Sequence, residues 1–176
     1  MARAGRFWSA VRAAAVARHH RRCVILAGDE TWSRTRIEPL IADLADTSVW
    51  IGAGAPDGVR SLGVERARML LGQESEALIW DVRSGFDPDA LGALSGVLRG
   101  GGILVLVTPP LPSWPAFSDP QFERIVPAGF CGPRSGRWLT RLLRIMVEDP
   151  TVLLWHQGQA PPELPAMSGT VVPDHG

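Results

Sequence analysis

The 176-residue sequence contains no lysine, no asparagine and no tyrosine, so each of its 18 basic side chains is an arginine. A phosphate-binding P-loop needs a lysine to reach the β- and γ-phosphates, and a Schiff-base enzyme needs one as its nucleophile. Both classes are excluded for this chain. Cysteine is nearly missing as well: Cys23 and Cys131 stand far apart without metal-ligand spacing, which gives neither a zinc knuckle nor a disulfide framework. Cys23 opens an apolar run and reads as a small buried hydrophobe. Net charge is also lacking, because 18 acids balance the 18 arginines. Only a local basic patch would therefore draw nucleic acid to the surface. No apolar run is long enough to span a membrane.

The first 22 residues carry arginine and histidine with no acid, the charge bias of a transit peptide. Phe7, Val11, Ala14 and Ala15 nevertheless share one helical face, which predicts an amphipathic helix and a cytoplasmic protein. The richest segment runs from Leu70 to Pro110. Ala77 to Val82, containing Asp81, is too short for a helix and predicts a buried parallel strand. Asp87 is a helix cap, Pro88 suits the first helical position, and Asp89 places negative charge against the positive end of the dipole. Leu91, Leu94 and Leu98 form the buried stripe, and Gly100 to Gly102 are expected to end the helix. Ile103 to Val107 is a second β-rich run, so the unit is a right-handed βαβ crossover.

Further strands are expected at Cys23 to Leu26, Val49 to Ile51 and Val152 to Trp155. Helices are expected around Ile37 to Leu44, Val64 to Leu71 and Ser135 to Glu148. This alternation predicts a doubly wound, mainly parallel five-stranded sheet, a Rossmann- or RecA-like three-layer sandwich preceded by the N-terminal helix. Seven prolines between Pro109 and Pro133 break both periodicities and mark a long irregular loop holding Trp114, Phe117, Phe122, Arg124 and Phe130. Packing of these aromatics over the sheet edge and stacking on nucleic acid are the two roles open to them. The domain is expected to end near residue 158, with 159–176 a disordered tail or linker.

Several of these motifs occur together in one family. Asp81, Gly85-Phe86-Asp87 and Ala93-Leu94-Ser95-Gly96 resemble the N-terminal domain of the bacterial tRNA(Met) cytidine acetyltransferases. So do Arg21-Arg22 before the first strand, Gly28-Asp29-Glu30 with Trp32, Val49-Trp50-Ile51, Leu70-Leu71-Gly72, and Leu153-Leu154-Trp155 with Gln157. The resemblance covers roughly residues 20 to 158. It implies an accessory domain of wobble-cytidine acetylation, as a split or truncated gene product or a free-standing relative. Its partners would be a helicase-like module using ATP, an acetyltransferase module using acetyl-CoA, and tRNA. Neither cofactor is expected to bind this chain, which has no Walker lysine and no acetyl-CoA loop.

Two surfaces carry candidate chemistry. Ligands of doubly wound sheets bind beyond the carboxyl ends of the strands, which would bring Asp29 and Glu30 to face Asp81, Arg83 and Ser84. Such a crevice suits a metal-phosphate or acid–base catalysis, so a small nucleotide-binding or hydrolytic enzyme is the alternative to an accessory domain. The structural counterpart is carboxylates bonded to loop amides and a surface pairing of Arg83. The second surface is Arg137, Arg141 and Arg144, one face of a helix, which with Arg134 forms the candidate for phosphate contact. Gly52-Ala53-Gly54 has the wrong spacing for a phosphate loop and reads as a turn. Ser84 and Ser95 lack the context of a nucleophile. Ser95 and Gly96 are expected to allow close helix packing. His19, His20 and His156 have no partner spacing for a metal.

Overall fold

The strand, helix, strand unit is present in the computed structural model, which describes residues 2–117, 119–120 and 136–165. Asp87 accepts a hydrogen bond from the Asp89 amide at 2.9 Å, and Pro88 opens helix α3 (Pro88–Val97). This helix joins β4 (Ser75–Asp81) to β5 (Leu98–Thr108). Before it come α1 (Ala2–Val16), β1 (Arg22–Ala27), α2 (Glu30–Leu44), β2 (Ser48–Ile51) and β3 (Arg60–Leu62). After it come α4 (Arg137–Glu148) and β6 (Val152–His156). All strand pairs are parallel, in the order β3-β2-β4-β5-β1-β6. The doubly wound parallel sheet is thus observed, with six strands among the described residues where the periodicity marks five. The additional strand, β3, is a three-residue edge whose side chains are mostly exposed, so it lacks the apolar run by which a buried strand declares itself.

Alternation along each strand builds two cores. Val24 and Leu26 of β1, with Val105 and Val107 of β5, face Phe7, Trp8 and Val11 of α1 and Ile37 and Leu40 of α2. Ile25 and Ala27, with Leu78 and Trp80 of β4, face Leu94 of α3, Leu143 of α4 and the 3-10 turn Val64–Leu70. The sheet is therefore covered on both sides, as parallel sheets require.

Four local expectations are corrected. The helix expected around Ile37 begins at Glu30, because Asp29 caps it and Pro39 is accommodated inside it. Val64–Leu70 is a 3-10 turn. Gly100 to Gly102 do not end α3; the helix stops at Val97, Leu98 is already extended, and the glycines lie within β5. Their reason is packing. Ser75 pairs with Leu98 but Ala77 with Ile103, so β5 bulges there. At Gly101, φ is +83°, and a Cβ would come within 3.1 Å of the Val16 Cα. Glycine lets the bulge pass beneath the end of α1. Ser95 and Gly96 do not mediate close packing, for both are exposed and a Cβ on Gly96 would meet nothing within 4 Å.

Beyond β6, the Trp155 indole donates to the Gln159 carbonyl at 3.2 Å, and Leu164 packs against the α1-side core. No helix among the described residues is long and apolar enough to cross a membrane.

Candidate functional site

Parallel strands deliver their carboxyl ends to one edge of the sheet, and the crevice residues gather there. β1 runs into Gly28, where a Cβ would lie 2.7 Å from the Trp32 ring and 2.8 Å from Gln157. Only glycine fits. Asp29 then caps α2, its Oδ1 accepting from the Trp32 amide at 2.8 Å. Gln157, just past β6, completes this corner: its Oε1 accepts from the Asp29 amide at 2.8 Å and its Nε2 donates to Asp29 Oδ2 at 2.5 Å. The Trp32 amide first, and Gln157 second, hold the Asp29 carboxyl below its ordinary pKa.

β4 ends in Asp81, and Arg83 folds back from the turn that follows. Its Nη2 donates to the carbonyls of Gly28 at 2.6 Å and Thr108 at 3.2 Å, and its Nη1 to Asp81 Oδ1 at 3.2 Å. One guanidinium thereby ties the ends of β1, β4 and β5. The pair is largely buried, with side-chain exposures of 19% for Arg83 and 9% for Asp81. It is not the solvated surface pair that the sequence suggested. Desolvation raises the Asp81 pKa, opposed by the Arg83 amide and charge. Ser84 turns away toward β2, its Oγ accepting from the Ala53 amide at 2.8 Å. Glu30 pairs with Arg34 at 3.2 Å, and Arg34 also donates to the Gly54 carbonyl and lies over the Trp50 ring at 5.8 Å. All five crevice candidates thus lie at this edge, but Asp29, Glu30, Asp81, Arg83 and Ser84 are each engaged by the protein's own groups.

Among the described residues no group of three or more His, Cys, Asp or Glu side chains is placed to hold a metal. His19 and His20 are exposed and His156 is half-buried. The Cys23 thiol is pushed up to about 12, chiefly by desolvation and then by Asp149, which disfavours the reactive thiolate. Cys131 lies outside the described residues.

The second surface is on α4. Leu139, Leu142, Leu143 and Met146 turn toward the sheet, leaving Arg137, Thr140, Arg141 and Arg144 exposed. These four, with Gly136 and with Pro115 and Ala116 across from them, line an open groove of about 740 Å³. Arg134, the fourth candidate, lies outside the described residues, as do Phe122, Arg124 and Phe130. Trp114 is buried at 1% exposure and meets Phe86 edge-on at 5.3 Å, so it belongs to the core. Sequence reasoning did not identify the structural part played by Gln157, which sits 128 residues from Asp29, nor the Pro115-Ala116 wall. Neither carries a local signal, since each becomes informative only through its spatial neighbour.

The chain is similar over most of its length to proteins that carry one name. A tRNA(Met) cytidine acetyltransferase TmcA from Nitrosococcus halophilus is 42% identical over 158 residues, covering 87% of this chain and 21% of its own. The Pectobacterium atrosepticum protein of the same name is 34% identical, covering 79% and 20%. An archaeal one, from Haloferax volcanii, is 35% identical, covering 83% and 20%. The chain thus spans about a fifth of the length of these relatives. The family described as tRNA(Met) cytidine acetyltransferase TmcA, N-terminal, matches residues 1–157, and the chain belongs to it.

Proposed function

We propose that this chain is a non-catalytic accessory domain of tRNA(Met) cytidine acetylation. It docks on the helicase-like and acetyltransferase modules of the same or a neighbouring gene product, and it contacts tRNA through the arginine face of α4. The observation that carries this reading is the contrast between the two surfaces. At the crevice, Arg83 satisfies Asp81 and the strand ends, Trp32 and Gln157 hold Asp29, and Arg34 pairs with Glu30. On α4, Arg141 and Arg144 are exposed and form no ion pair among the described residues. A chain of zero net charge binds RNA only through such a local patch, and each phosphate neutralised releases counterions. The tRNA contact is accordingly weak and steeply salt-dependent.

The test is tRNA affinity measured across a salt series for the wild-type chain and for Arg141→Glu/Arg144→Glu. Binding should weaken and its salt dependence flatten, with thermal stability nearly unchanged. An unaltered affinity would remove the tRNA contact and leave the docking role.

A further inference from the structure

We propose that the α4 groove takes an unpaired stretch of RNA, its phosphates against Arg141 and Arg144 and its bases stacked on Trp138 and Phe117. This rests on the tRNA-contact reading above and specifies which form of RNA the groove accepts. The arginines account for attraction to any polyphosphate; the aromatics beside them do not. Of the chain's tryptophans, Trp8, Trp50, Trp80 and Trp114 are among its most completely buried side chains. Trp138 is 41% exposed and Phe117 is 39% exposed. Each is next in the chain to a residue that lines the groove, Phe117 to Ala116 and Trp138 to Arg137.

Trp138 is also held in place from behind. Its ring lies against Phe86 at 5.6 Å with the planes 34° apart, so the indole meets a base with little further loss of rotamer freedom. A positive track bordered by exposed aromatics is the recurring means of holding single strands, because every base has a face that stacks. Duplex RNA offers no such face. It is recognised through backbone and 2′-hydroxyl contacts over about 16 base pairs, whereas the arginine row on α4 spans only about 10 Å at ~1.5 Å per residue. The acid on this helix is Glu148, at its last position, so the row itself carries one sign of charge.

The experiment is fluorescence anisotropy of the purified chain with a short labelled oligouridylate and with a blunt-ended RNA duplex of equal phosphate count, from about 50 to 200 mM salt. The oligouridylate should bind more tightly than the duplex, by about tenfold or more. Phe117→Ala and Trp138→Ala should each weaken the single strand at least about fivefold and leave the duplex unmoved, and Trp138→Phe should restore much of the loss. Arg141→Glu/Arg144→Glu should weaken both RNAs and reduce the single-strand salt slope by about 1.4, the value for two phosphates. Circular dichroism identifies any variant that has unfolded, and Phe117→Ala, whose ring makes no aromatic contact with Phe86 among the described residues, gives a second stacking test besides Trp138→Ala. Equal affinity for the two RNAs, with the aromatic variants inert and the arginine variant still weakening both, overturns the inference while the tRNA contact stands. An arginine variant that changes neither affinity overturns the tRNA contact as well.

Discussion

The Arg83 guanidinium donates to the Gly28 carbonyl at 2.6 Å, joining residues 55 positions apart. Because the same side chain also holds Asp81 and the Thr108 carbonyl, it acts as a clamp across the ends of three strands. Removing one partner of a buried pair leaves the other charge unneutralised in a poorly solvated place. Arg83→Ala should therefore cost about 3 kcal/mol in urea unfolding. Arg83→Lys should recover only part of that, since an ammonium cannot fork among three oxygens. A loss near zero for Arg83→Ala would mean that the clamp contributes nothing to stability.

Glycines of this fold separate into required and replaceable ones. Gly101→Ala must place a Cβ at positive φ against Val16, and thermal unfolding should register a loss of about 1–3 kcal/mol. Gly96→Ala in α3 meets open space and should gain about 0.5–1 kcal/mol through helix propensity. Equal effects of the two substitutions would contradict the close approach of α1 to the β5 bulge.

Capping of α3 offers a local test. Asp87→Ala should cost about 1 kcal/mol and Asp87→Ser much less, because the serine hydroxyl still accepts from the second amide of the helix. Chemical denaturation of both variants distinguishes a cap from a general charge effect, in which serine and alanine would be equivalent.

The two ends of the crevice respond oppositely to pH. Asp29 has a lowered folded pKa, so its contribution is present above the ordinary value of 3.8 and disappears as pH falls through the lower folded value. Asp81 has a raised one, so its contribution is full below 3.8 and declines as pH rises through the higher folded value. Carbonyl NMR titration should find Asp29 titrating below Asp81, and Gln157→Leu should move Asp29 upward while leaving Asp81 in place. The reverse order would mean that the Trp32 and Gln157 bonds do not form in solution.

The purified chain should neither hydrolyse ATP nor transfer an acetyl group, since the crevice groups are engaged by the protein's own groups and the sequence has no lysine. Turnover that is lost in Asp81→Asn would instead support the nucleotide-binding or hydrolytic reading.

Local chemistry by itself determined the sheet, helix and cap of the Leu70 to Pro110 unit, because Asp87, Pro88 and the apolar runs act on neighbours within one turn or one strand. The same was true of the arginine face of α4, whose spacing follows from 3.6 residues per turn. Edge strand β3 was not legible, for its pairing with β2 supplies the order that its three side chains do not. Nor was the place of Gly100 to Gly102, which depends on how closely α1 lies over β5. Most consequential is the crevice: the sequence determined that Asp29, Asp81 and Arg83 would meet at one edge, since parallel strands end together. Only the tertiary structure decided that Arg83 would satisfy Asp81 and the strand ends while Gln157 holds Asp29, because the direction of a guanidinium among three carbonyl and carboxylate oxygens depends on packing between strands distant in sequence.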